Sequence, residues 1–522
     1  MSVQFSYIIR RSGHQLIRSM NPSTSKTSSY DHWTKEELVA RLVELDERLR
    51  VAYPDEKVSQ IYPTQSKTFN FSAHPVRKIA LKFCYSGWEY NGLAFQKTPT
   101  PLPTVEQVLF QALAKTRLID PDAGFDGCGW ERCGRTDRGV SAAGQVVSLW
   151  VRSALEEEEK KTVLDDSTSE EDLAEISGVS ETSSDPPADV FMESSVMNNS
   201  RAPSRSRSEF HYLQLVNRVL PPTIRVIAWS PVSSDFSARF NCQKRHYKYF
   251  FSSQGLDLSL MRNGAQRLLG EHDFRNFCRL DPSKQITNYN RTILKADISP
   301  VPDVKDLCVL DLVGTAFLYH QVRHIMAILF LIGTGLEHPS IVSALLNDDP
   351  EALASPLHTY DGDPPFEPLN QKPSYQMADG LPLMLWDCLY KDEDVQWLTD
   401  PNGTTGENRR GSGSELYDQM RSIHDRSVIH TALDAHFLAA VAQYHTPRLP
   451  YFPRNQSSVP LPNVIQVPLG AGTSNRNGRY IPLLSRKRME TVEVINERWR
   501  TGKGERKQDR KSGATVDDDA GE

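Results

Sequence analysis

With 522 residues, 39% of them apolar and 24% charged, the chain is long enough for roughly two to four domains and able to bury a real core. No apolar run is long enough to span a bilayer; the best candidate, Ile325 to Ile332 behind His320, Arg323 and His324, reads as a buried helix. A net charge of −6 argues against a polyanionic partner only until the acid is located, because much of it lies between Glu156 and Glu193 and the remainder is more basic than the total suggests.

Residues 1 to 30 contain Arg10, Arg11, Arg18 and Lys26, several serines and no acid, a pattern that fits a mitochondrial presequence as well as an unstructured tail. Thr34 and Glu37 form a capping box, and Leu38, Leu42, Leu45 and Leu49 share one face. The spacing predicts a short amphipathic helix for docking or weak dimerisation, within an N-terminal extension over 1–73. Val76 to Tyr85 reads as a strand, and SGWEYNGLAFQ after it as a glycine turn with exposed aromatics. Thr104 opens a helix carrying Val105, Leu109 and Leu113.

The densest chemistry follows in Cys133 to Val147, CGRTDRGVSAAGQVV. Asp137 stands between Arg135 and Arg138, in a loop bounded by Gly134 and Gly139 that runs into the β-branched segment Gln145 to Val151. The pattern is a turn presenting one carboxylate at a strand edge, with arginines that supply charge for an anion such as phosphate. A surface turn whose aspartate caps a helix or pairs with a neighbouring arginine is the commoner reading of such a short string taken by itself.

From Arg152 to Glu209 acids and serines dominate, as in LEEEEKK and SETSSDPP. Such a segment buries too little apolar area to offset an ordering cost of about 1 to 2 kcal/mol per residue, so a disordered acidic insertion is expected over 152–209. The helix FHYLQLVNRVL and the strand TIRVIAWSPV close a first unit over 74–232, and DFSARFNCQKRHYKYFF opens a second over 233–395. At period two, Arg245, Tyr247 and Tyr249 share one strand face and Lys244, His246 and Lys248 the other. GAQRLLGEHDFRNFCR reads as a helix and loop, and NYNRTILKADI and CVLDLVG as strands.

GTAFLYHQVRHIMAILFLIGTG is a strand-to-helix turn and a helix, in which the buried cation Arg323 calls for a partner. His320 and His324 stand four apart, but the glutamate of H-E-x-x-H is replaced and no third ligand is evident, so no metal is expected. Seven scattered cysteines without a C-x-x-C pair read as free thiols of a reducing compartment, with no disulfide or zinc framework. Leu383 to Tyr390 is a closing strand. Over 396–522 come a linker, a helix or helix pair in LYDQMRSIHDRSVIHTALDAHFLAAVAQY, and a basic helix and tail. There Arg486-Lys487-Arg488 and Lys507 to Lys511 read as a nuclear import signal, an RNA contact or a solvated charge run.

GRTDRGVSAAGQVV resembles the catalytic motif of the TruA family of tRNA pseudouridine synthases, which read GRTDxGVHAxxQV or close to it. The resemblance continues through V-E-x-x-L, the A-R-F segment leading to R-x-Y-x-Y, L-G-x-H-D-F, the Phe317 to Arg323 block and Ala378-Asp379-Gly380-Leu381. Ser141 replaces the histidine of many bacterial members, and Tyr85-Ser86-Gly87 lacks the acid of the family's YDG, so that acid is not needed for chemistry. The resemblance implies an α+β fold of two similar α/β halves, their antiparallel sheets joined into one central sheet with the catalytic cleft between them.

The resemblance further implies that Asp137 is the catalytic aspartate, Arg323 its ion-pair partner, and Tyr247 the aromatic that stacks on an extruded uracil. Arg135 is similar to the arginine that holds the nucleotide out of its stack, and Arg138, Arg245 and Lys248 are candidate RNA contacts. No cofactor and no metal are implied. The partner implied is the tRNA anticodon stem-loop, with no membrane, and family members commonly act as homodimers. The CGRTDRGVSA form and the Y-I-P-L-x-x-R-K-R ending look most like the eukaryotic branch that modifies positions 38 and 39, in nucleus and cytoplasm with a mitochondrial fraction if the presequence reading holds. A broader-target relative and a tRNA-binding protein without chemistry are the alternatives; a carboxylate-dependent nucleosidase would need a second acid that no motif places beside Asp137.

Overall fold

A computed structural model describes residues 69–155, 208–346, 362–365, 367–400, 413–446, 464–477 and 479–504. All of these except Phe69 fall in the compact unit Asn70–Glu522. The segment with the expected presequence and amphipathic helix, most of the acidic insertion, and Lys507 to Lys511 lie outside the described residues.

The frame is one mixed sheet of nine strands. β1 (Val76–Tyr85) lies between β3 (Ser141–Arg152) and β4 (Ile224–Pro231), antiparallel to both, and the two-residue β2 (Glu131–Arg132) also pairs with β3. Because β1 is central, its run Ile79-Ala80-Leu81 is wholly buried rather than alternating. β5 (Lys244–Ser252) pairs antiparallel with β8 (Leu307–Gly314) and β9 (Leu383–Leu389), and β7 (Asn290–Pro300) and β6 (Gly270–Asp273) complete that edge. The L-G-E-H-D-F stretch therefore supplies a short edge strand instead of the expected loop.

β3 and β9 join the two strand sets, and they run parallel, through Ser141↔Met384 and Ala142↔Leu385 alone. The parallel direction of the join has a local reason. Both strands start from turns packed on each other, so close that a Cβ added at Gly380 would lie 3.1 Å from the Arg138 carbonyl oxygen. Register shifts fall at Phe83/Tyr85 and at His246/Tyr247, next to residues that line the cleft, where such irregularities re-aim side chains.

Two clusters of buried side chains flank the sheet. One packs α1 (Val105–Lys115), N-capped by Thr104, and α2 (Tyr212–Asn217) on β1, β3 and β4, with Leu109, Leu113, Tyr212 and Trp229 at its heart. The other packs α3 (Leu258–Gln266), α4 (Gln321–Gly333) and α5 (Ile341–Leu345) on β5, β7 and β8 through Met261, Phe277, Leu310, Ile325 and Phe330. α4 is buried almost all round, as a helix apolar on every side must be. Tyr247 packs against both clusters.

The bounds expected for the insertion, 152–209, take in described residues at both ends. Arg152 donates its N–H to Leu118 O and Ser153 to Pro75 O, both at 2.8 Å. The buried Glu209 carboxylate accepts from Arg77, Ser153 Oγ and the Ala154 N–H at 2.8 Å each, and from the Phe210 N–H at 2.9 Å. Burial works to raise its pKa, but these donors outweigh it and hold the carboxyl below its ordinary value. Arg152 to Leu155 and Glu209 thus belong to the folded body.

Beyond β9, one helix, α6 (Gly413–Ala442), stands where a helix or pair was expected. Leu416 and Ile423 on it are half-buried, and every residue from His424 to His445 is exposed. A hairpin of β10 (Val464–Pro468) and β11 (Thr473–Asn477) precedes α7 (Val492–Trp499). Arg486-Lys487-Arg488 is not on a helix: its backbone lies along 372–374, with Ser374 N–H donating to Lys487 O at 3.0 Å.

Candidate active site

The loop from β2 to β3 is tied down around Asp137. The Thr136 carbonyl accepts from Leu93 N–H at 3.2 Å, its hydroxyl meets Tyr85 Oη at 2.6 Å, and Gln145 Nε2 donates to Gly134 O at 3.1 Å. Gly87 lies so close that a Cβ there would sit 2.0 Å from Val140 O, while its N–H donates to Ser141 Oγ at 3.0 Å. The Y-S-G turn is therefore a backbone platform for the loop, a task that needs its glycine and no acid.

Asp137 points from this platform towards α4. Its Oδ2 lies 3.4 Å from Arg323 Nη1 and 3.2 Å from His320 Nε2. Oδ1 has no partner among the described residues. Arg323 is held in turn: Nε donates to Ala378 O at 2.8 Å, and Ala378 N–H returns a bond to Arg323 O at 3.2 Å. The buried cation that the sequence leaves in search of a partner finds Asp137.

His320 is the residue that spacing misreads. It adopts the left-handed conformation, φ 63°, at the N-terminus of α4, a geometry that costs a non-glycine residue roughly 1 to 2 kcal/mol. Its side chain is 5% exposed, and it stacks on Tyr319 with centroids 3.8 Å apart. His324, four residues on, turns elsewhere, into a buried pocket where Lys372 Nζ is 3.2 Å from its Nε2. Burial, then Lys372, pull the His324 pKa down to about 2, and burial pulls Lys372 down to about 8. The i, i+4 pair does not converge, because its first member lies outside the helical geometry.

Asp137 opens on a cleft of about 1080 Å³ lined from both strand sets. Its wall includes Arg132, Arg135, Arg138, Arg239, Arg245, Arg279, Lys284, Arg291 and Arg323, against Asp137 and Asp281. Arg135 and Arg138 are exposed and pair with no described residue. Tyr247 lines the cleft, edge-on to Phe317 at 5.0 Å; burial drives its hydroxyl pKa up, and that hydroxyl has no hydrogen-bond partner among the described residues.

Two of the candidate RNA contacts are occupied otherwise. Arg245 lines the cleft but gives its donors to four carbonyls, those of Cys133, Arg239, Cys242 and Thr315, at 2.8 to 3.3 Å. Lys248 lies on the opposite strand face, outside the cleft lining, 3.9 Å from Asp311 and 4.1 Å above the Trp386 ring. The basic wall also draws on Arg239, Arg279, Lys284 and Arg291, from separate segments; of these only Arg239 stands in a family motif, A-R-F, which does not single it out as a contact.

A half-buried carboxylate with one oxygen engaged and one free, facing an arginine-rich cleft large enough for a nucleotide, defines an enzyme for a polyanionic substrate. A family model described as tRNA pseudouridine synthase matches residues 265–361. The chain is 36% identical over 495 residues to the tRNA pseudouridine(38/39) synthase of Saccharomyces cerevisiae, covering 91% of this chain and 93% of that one. It is 38% identical over 343 residues to the Homo sapiens protein of the same name, 64% of this chain and 59% of that one. To the tRNA pseudouridine synthase A of Methanosarcina mazei it is 31% identical over 273 residues, 52% and 77%. The chain belongs to the TruA-type tRNA pseudouridine synthases, isomerases that convert uridine to pseudouridine in tRNA.

Proposed function

We propose that this chain isomerises uridines at positions 38 and 39 of the tRNA anticodon stem-loop, the positions in the names of its yeast and human relatives, with Asp137 as nucleophile. The observation that carries the assignment is the asymmetry of Asp137: Oδ2 is taken by Arg323 and His320, which leaves Oδ1 to the cleft. The reaction breaks the N1–C1′ bond, turns the base and forms C5–C1′, while C5 gives up a proton and N1 gains one. It is neutral in atoms and electrons, and carboxylate attack on the base ring or at C1′ both satisfy it.

The uridine must first leave its stack, at a cost of a few kcal/mol. Arg135, exposed and unpaired beside Asp137, suits the vacated position, Arg138 a flanking phosphate, and Tyr247 the face of the extruded base. Arg323 holds Asp137 in line. The two buried clusters support a reading of the body as two similar halves with the cleft between them. The exposed apolar side chains of α6, among them Ile429, Leu433, Phe437 and Val441, support a homodimer in which the free part of this helix is covered by a second copy. Free cysteines and the basic run at 486–488 support a nuclear and cytoplasmic location, which imaging of the tagged chain tests.

The test of the chemistry is pseudouridine mapping by carbodiimide labelling and primer extension on unmodified tRNA. New stops at 38 and 39 with the native protein, and none with Asp137→Asn at undiminished tRNA binding, are expected. Stops elsewhere would point to a broader target range, and none at all with binding intact would leave a tRNA-binding protein.

A further inference from the structure

Three of the cysteines meet in the fold although no spacing in the sequence joins them. Cys133 follows β2 and precedes Asp137 by four residues, Cys242 precedes β5, and Cys388 lies in β9. Their sulfurs all lie within 4.8 Å of one another, and the three residues are 2%, 7% and 2% exposed. Zinc–sulfur bonds of about 2.3 Å place the sulfurs of a three-thiolate site about 4 Å apart, so only a small contraction separates this arrangement from a metal site. Soft thiolates in a dry pocket select a thiophilic ion over magnesium or calcium.

The surrounding charge is what such a site requires. Arg245 donates to the backbone carbonyls of Cys133 and Cys242, the two loops that bring their thiols together. No carboxylate among the described residues pairs with it. Three thiolates around a dication carry one net negative charge, and the guanidinium beside them offsets it.

We propose that Cys133, Cys242 and Cys388 bind one Zn²⁺, which ties the loop of Asp137 to the strands β5 and β9. On binding, the thiols release their protons to solvent and each sulfur forms one bond to zinc, with the fourth position left to a small exogenous ligand such as water. The ion sits behind the catalytic loop, in the place where Arg245 already links Cys133 to the segment that leads to Tyr247.

The experiment is elemental analysis of the full chain purified from zinc-supplemented medium, together with cobalt substitution. About one zinc per chain is expected, with a sulfur-to-cobalt charge-transfer band after chelation and Co²⁺ addition. Cys133→Ser, Cys242→Ser and Cys388→Ser should each lower zinc occupancy about tenfold, while Cys84→Ser and Cys308→Ser, outside the cluster, keep it. Native protein with less than about one zinc per ten chains and no cobalt band would overturn the proposal, even if a cluster variant fails to fold. So would a mass two hydrogens short of the free-thiol value, which marks a disulfide, or zinc retained in all three cluster variants.

Discussion

Asp137 has two oxygens in different surroundings, and that difference makes His320 testable as a positioning residue. Arg323 alone would leave the carboxylate free to rotate; the second contact, from His320 Nε2 at 3.2 Å, fixes which oxygen faces the cleft. His320→Phe removes the contact and should lower kcat for pseudouridine formation by about 10-fold, with KM for tRNA nearly unchanged. His320→Gln, which keeps an N–H at similar reach, should restore much of the rate. Equal loss in both variants, or a KM effect alone, would remove His320 from this role.

The Asp137–Arg323 pair is legible through the family resemblance; the residues alone show only a cation entering an apolar helix and calling for some partner. His320 and Arg245 are not readable, for a shared reason. The contacts of His320 follow from a left-handed turn, and those of Arg245 from carbonyls on loops far apart in sequence. Lys248 is a different case: period two already puts it opposite Tyr247, and the unshifted pairing of β5 with β8 keeps that alternation.

At the scale of elements, α4 carries an acid-sensitive point. The folded His324 pKa is depressed to about 2 from an ordinary 6.5. The folded state therefore binds fewer protons than the unfolded one below pH 6.5, and stability present above 6.5 falls as the pH drops towards 2. Each unit in that window removes up to about 1.4 kcal/mol. Urea unfolding at a series of pH values should show this slope, and His324→Gln should flatten it whatever its absolute stability; an unchanged slope would place the acid sensitivity elsewhere. The strands of the sheet were legible from alternation and apolar runs, apart from two: β2, only Glu131–Arg132, too short and polar to show a pattern, and β6, whose polar G-E-H-D reads as a loop until β7 offers it an edge to pair with.

At the scale of the molecule, the acid and base of the chain are partitioned: the cleft wall is basic while the total charge is −6. Composition could indicate that partition but not where the basic groups would gather. The free length of α6 makes the oligomeric state a sharp measurement. Light scattering after size exclusion should give twice the chain mass, and Leu433→Glu with Phe437→Glu should give the monomer, since two charges in an apolar helix contact cost several kcal/mol. A monomeric native protein would mean that α6 meets something other than its own copy.

Glu209 gives the acidic segment a property independent of its content. Glu209 lies against Ala154 in the fold, where its one carboxylate accepts from both the Ala154 and Phe210 N–H groups. The described ends on either side of 156–207 are thus clasped at one point of the folded body. Doubling the length between those ends would cost only about 0.6 kcal/mol of closure entropy. The clasp predicts that shortening or lengthening the stretch between residues 156 and 207, with Glu209 kept, leaves pseudouridine formation on tRNA unchanged.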